Sequence, residues 1–119
     1  MNLDSAIAAH TEWKIKLRSA IERCEAVDAA TIAADNCCEL GRWLQGEGKR
    51  AHGASVMFSD LGTKHTAFHR AAGQVAREIN ARNYDAATQL LGAGTTYAAA
   101  SSAVGVAISA LKREIAKAA

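Results

Sequence analysis

Residues 56–79 read Val56-Met-Phe-Ser-Asp-Leu-Gly-Thr-Lys-His-Thr-Ala-Phe-His-Arg-Ala-Ala-Gly-Gln-Val-Ala-Arg-Glu-Ile79. Phe58, Leu61, His65, Phe68, Ala72, Val75 and Ile79 recur at steps of three or four, which aligns them along one face of an α-helix. The pattern predicts a helix over about residues 55–82, with Asn83 as its break. Two of the positions that share this stretch, His65 and His69, are spaced i, i+4, so both imidazoles leave the same side about one turn apart and can grip one ion. The pair by itself is weak evidence of a metal site, because one packed and one solvated ring is the commoner arrangement.

Working outward, the same period appears upstream. Leu3, Ile7, His10, Leu17, Ile21 and Cys24 form a stripe that predicts a first helix over about residues 3–27. Asp35 or Asn36 is placed to cap a short second helix starting just before Cys37 and carrying Cys38, Leu40, Trp43 and Leu44. Gln45-Gly46-Glu47-Gly48 reads as its stop, and the polar stretch from Lys49 to Ser55 as a loop. Downstream, Leu90, Tyr97, Val104 and Leu111 repeat every seven residues, with Ser101, Ile108 and Ile115 between them, which predicts a last helix over about residues 84–117. Gly92, Gly94 and Gly105 within it point to close packing or a local bend. Three long helices and one short one, joined by brief connections, predict an all-α antiparallel four-helix bundle. Its alanine-rich seams require either tight packing or a second copy of the chain, for which a symmetric homodimer is the simplest arrangement.

At 119 residues the chain has room for one domain, taken as 1–119, and an all-helical unit of this size can bury a core without disulfides. Proline is absent. Fourteen basic and twelve acidic residues leave a net charge of +2 with no Lys/Arg block, too little for a nucleic-acid footprint. The apolar runs stop short of the roughly 20 residues a bilayer requires, and Met1 to His10 lack a signal-peptide pattern, so no membrane role and a cytoplasmic location are expected. Three cysteines, an odd number, fit a reducing compartment better than a disulfide framework.

His10, Cys38, His65 and His69 all fall on stripes that should face the core. Three imidazoles and a thiolate are the N and S donors that zinc accepts in a closed tetrahedron. Each binds deprotonated, and four protein ligands leave no position for an activated water, so the site reads as sensory or structural and the chain as a non-enzyme. No Glu-x-x-His or His-Glu-x-x-His occurs, which removes the parts of a di-iron bundle or a metalloprotease, and Gly46-Glu-Gly48-Lys49 lacks the spacing of a phosphate loop.

The sequence resembles the bacterial chemoreceptor zinc-binding domain (CZB) family. The resemblance is carried by His10-Thr-Glu-Trp13, by Cys38-Glu-Leu40-Gly41-Arg-Trp43 and by His65-Thr-Ala-Phe-His69, with 28 residues from His10 to Cys38 and 27 from Cys38 to His65. It implies a four-helix zinc domain, commonly dimeric, attached to chemoreceptors or diguanylate cyclases, that senses zinc or oxidants such as hypochlorous acid. It also implies that His10, Cys38, His65 and His69 are the ligands. The chain holds no recognisable receptor stalk or cyclase module, so it reads as a stand-alone member or an excised domain. The alternative function is a structural zinc brace in a protein-interaction module. Of the remaining residues, Trp13 and Trp43 are expected to pack around the site. Cys24 is expected as a small hydrophobe on the first helix and His52 in water, with Cys37 a bystander or an oxidation partner after zinc release.

Overall fold

The computed structural model describes residues 1–118, and every regular element among them is helical. The helices are α1 (Leu3–Arg23), α2 (Ala29–Ala33), α3 (Glu39–Gln45), α4 (Glu47–His52), α5 (Val56–Asn80), α6 (Tyr84–Leu90) and α7 (Thr96–Ala118). The element that organises the others is α5. Ser55 caps it, its hydroxyl accepting the Phe58 N–H at 3.2 Å, and the stripe from Phe58 to Ile79 is buried. Its far end closes with a left-handed residue, Arg82 (φ 64°), while the Asn83 and Arg82 N–H groups donate to the carbonyls of Glu78 and Ile79. Helices α7 and α2 pack on α5, and α1 packs chiefly on α7. Among the described residues no helix is long and apolar enough to cross a membrane.

Four expectations from the sequence need correction. The first helix ends at Arg23 rather than near residue 27. Cys24 adopts φ 53° and stands exposed beyond it, because its N–H and that of Glu25 donate back to Ile21 and Ala20, the same left-handed closure that ends α5. The last helix is two: α6 stops at Leu90, Gly94 takes φ +76°, and the Thr95 hydroxyl caps α7 by accepting the Ala98 N–H. A glycine at positive φ followed by a capping threonine outweighs the apolar repeat running through them. Cys38 lies outside the short helix rather than within it; it is the N-cap of α3, so neither Asp35 nor Asn36 caps that helix. The polar stretch after Gly48 is largely helical, in α4, and His52 is half-buried with its ring 5.8 Å from that of Trp43 instead of lying in water.

Two contacts hold the segment between α1 and α3 against α5. The Asn80 side-chain amide pairs with both backbone groups of Val27, each at 2.8 Å, and so fastens the chain to the end of α5. Further along, α2 crosses α5 at Gly73, where an added Cβ would stand 2.5 Å from the Ala33 Cβ. Gly73→Ala should therefore push α2 away and destabilise the fold by about 1–3 kcal/mol, as overpacking does. Gly62, on the same helix, has nothing within 4 Å of an added Cβ, and Gly62→Ala should raise stability by up to ~1 kcal/mol. Thermal denaturation of both variants checks this, and equal shifts of one sign would contradict it.

Candidate metal centre

The i, i+4 pair on α5 fixes two of the four donors. His65 and His69 are 1% and 2% exposed, with ring centroids 4.5 Å apart. From α1, His10 reaches the same place, its ring 5.1 Å from His65 and 5.6 Å from His69. Cys38 joins them from the start of α3, its Sγ 3.2 Å from His65 Nε2 and 3.6 Å from His69 Nε2. One ligand atom from each of these four residues lies within 4.8 Å of the other three.

Hydrogen bonds decide how the rings present themselves. His10 Nδ1 donates to the Ala6 carbonyl at 2.7 Å, and His69 Nδ1 donates to the Ile32 carbonyl at 2.8 Å. A carbonyl only accepts, so both rings carry their proton on Nδ1 and turn the Nε2 lone pair inward. His10 Nε2 is buried and has no hydrogen-bond partner. An orphaned lone pair in a protein interior costs about 1–3 kcal/mol, and a cation among the four donors would satisfy it. The chemistry of the set fits: zinc bonds of roughly 2.0–2.3 Å in a tetrahedron put N and S donors about 3.5 Å apart. The two S···N distances straddle that value.

The loop that delivers Cys38 owes its shape to its neighbours. The thiol caps α3 in place of a hydroxyl or carboxylate, with its sulfur accepting the Gly41 N–H at 3.2 Å. Gly41 is where the chain passes closest, since an added Cβ would come within 1.8 Å of the Asp35 carbonyl oxygen. Leu40, 2% exposed, anchors the helix in the core, and Trp43 packs edge-on to Phe58. Asp35 itself accepts the Thr66 hydroxyl at 2.5 Å, which ties the loop to α5 one residue from His65. Sequence reading passed over Asp35 as anything but a cap and passed over Ile32 altogether, because partners at a distance of some 30 residues leave no local signature.

Electrostatics keep two of the rings, His10 and His65, uncharged. Burial pushes His65 down to about 3, with the neighbouring His69 and His10 rings adding to the effect and the Asp35 carboxylate opposing it. Burial also lowers His10, against the upward pull of its bond to the Ala6 carbonyl. Burial raises the Cys38 thiol, against the opposing N–H groups of Gly41, Leu40 and Cys38 itself and the nearby Arg42. His10 and His65 therefore meet a cation without losing a proton, whereas the thiol must give one up. At pH 8, zinc binding should release about one proton per chain, measured from the dependence of the calorimetric enthalpy on buffer ionisation. Release of two or more would mean that the metal-free rings are charged.

Residues 10–76, more than half of the chain, match the family model described as chemoreceptor zinc-binding domain. Comparison with curated proteins and with solved structures finds no match.

Proposed function

The chain belongs to the chemoreceptor zinc-binding domain family, and from that premise we propose that it is a regulatory domain in which His10, Cys38, His65 and His69 supply all four ligands of one zinc ion. The observation that carries the reading is the buried, unpartnered His10 Nε2 beside three other donors, all within 4.8 Å. Four protein ligands complete a tetrahedron, so the domain is a sensor and not an enzyme.

Bound zinc would hold Cys38 as the thiolate, its reactive form. The signal is then zinc itself or an oxidant. Toward hypochlorous acid, the sulfur gains the oxygen and proton and loses two electrons as chloride departs, which leaves a sulfenic acid that is a poorer donor. The same sulfur caps α3, so a change in its charge reaches the seven residues of that helix directly. Short and held chiefly by Leu40 and Leu44, α3 is the natural moving part.

The wider arrangement follows the same reading. Residues 1–119 act as a single domain, an antiparallel four-helix bundle in which α2 to α4 stand in for one long helix. It works in the cytoplasm as a homodimer, a state supported by the exposure of Val106 on α7 (67%). Its output is a chemoreceptor or a diguanylate cyclase, in chemotaxis or cyclic di-GMP signalling. A second reading, a structural zinc that only braces the bundle, is favoured by the near-complete burial of the three rings.

Elemental analysis of the purified protein should give one zinc per chain, and Cys38→Ser or His65→Ala should weaken binding by more than about 100-fold, beyond what loss of a supporting partner causes. Hypochlorous acid should release zinc from the parent protein and shift its helical signal. Retention of the metal under oxidant, with the circular dichroism spectrum unmoved, would instead establish the structural brace.

A further inference from the structure

The three rings are at most 4% exposed, so an ion in water needs a passage to them. Between α3, with the loop that precedes it, and the first half of α5 lies a cleft of about 340 Å³ whose wall includes His65. Asp35 shares that wall, the α5 side contributes Ser59, Thr63 and Thr66, and Leu44 and Phe58 form its apolar part. The carboxylate and the three hydroxyls offer oxygen, the donor type that can replace water around a hydrated divalent cation one molecule at a time. The cleft is also selective in charge. Apart from His65, Asp35 is the one ionisable group in its wall, whereas the neighbouring cleft across Asp35 is flanked by Arg70 and Arg77.

We propose that this cleft is the route by which a divalent cation reaches and leaves the cluster of three histidines and one cysteine, with Asp35 capturing the ion on the way. The inference rests on the zinc-site reading above and adds a path and a residue to it. Thr66 donates its hydroxyl to one carboxylate oxygen, Oδ2, and so fixes the Asp35 side chain beside the α5 wall. Asp35 and His65 share the wall of this cleft, and a carboxylate there attracts a metal cation toward the donors. Gly62 completes the passage: it lines the cleft, and its missing side chain leaves open space there.

The test is stopped-flow uptake of Co²⁺ by the full metal-free chain, followed by the absorption of tetrahedral cobalt–thiolate, and chelator-driven release from the loaded protein. Asp35→Asn should slow uptake by about tenfold at low salt and flatten its dependence on ionic strength. Gly62→Leu should slow uptake and release by the same factor, leaving affinity within about twofold, because a narrowed path alters rates and not the end states. Unchanged rates in both variants, with the parent still taking up one cobalt per chain, would overturn the route while the site stands. Asp35→Asn with weakened affinity and normal uptake would overturn the capture role and make Asp35 a supporting group. A parent chain that gives no cobalt–thiolate spectrum would remove the site itself and the route with it.

Discussion

Three imidazoles and a thiol share one small buried volume, and a polar nitrogen shut away from water must find a partner. That requirement explains the surroundings of the cluster better than apolar packing does. The Ala6 and Ile32 carbonyls take the Nδ1 protons of His10 and His69, which turns each ring so that its second nitrogen faces the centre. The backbone of two different helices thus sets the orientation of side chains on α1 and α5. His10 Nε2 is left with nothing to bond, and a cation is the partner that completes the arrangement.

The close approach of backbone to backbone makes the convergence possible. Gly73 lets α2 lie on α5 at Ala33, and that contact brings the Ile32 carbonyl within reach of His69. Gly41 lets the Asp35 carbonyl pass against the first turn of α3, which sets Cys38 at the helix start with its sulfur toward His65. Side chains at either glycine would open a gap of an ångström or more, and the fourth donor would withdraw from the other three. The Asn80 amide performs a related task farther off by fastening Val27 to the end of α5.

The four donors are held unevenly. His65 and His69 belong to a 25-residue helix at the centre of the core, and His10 to a helix of 21 residues. Cys38 belongs to a loop and caps a helix of seven. The donor whose side chain can be oxidised is therefore the one whose support is least extensive, and its sulfur caps α3 while standing among the other three donors. A chemical change there has a short mechanical path into α3.

Much of this was legible in the sequence. The apolar period fixed α5 to within two residues at each end, the i, i+4 pair placed His65 and His69 on one helix, and the core stripes singled out His10 and Cys38. Residues beyond a single helix turn are another matter. A capping thiol reads like the first residue of a helix, a seven-residue apolar repeat runs on across the break at Gly94, and a left-handed cysteine looks like one more hydrophobe. The sequence by itself determined which side chains had to be buried together and what chemistry they carried, because periodicity and donor type are local properties. Only the tertiary structure decided that the Ile32 carbonyl orients the His69 ring and that Thr66 holds Asp35 beside the cluster, because each depends on segments more than 30 residues apart in sequence meeting within hydrogen-bond distance.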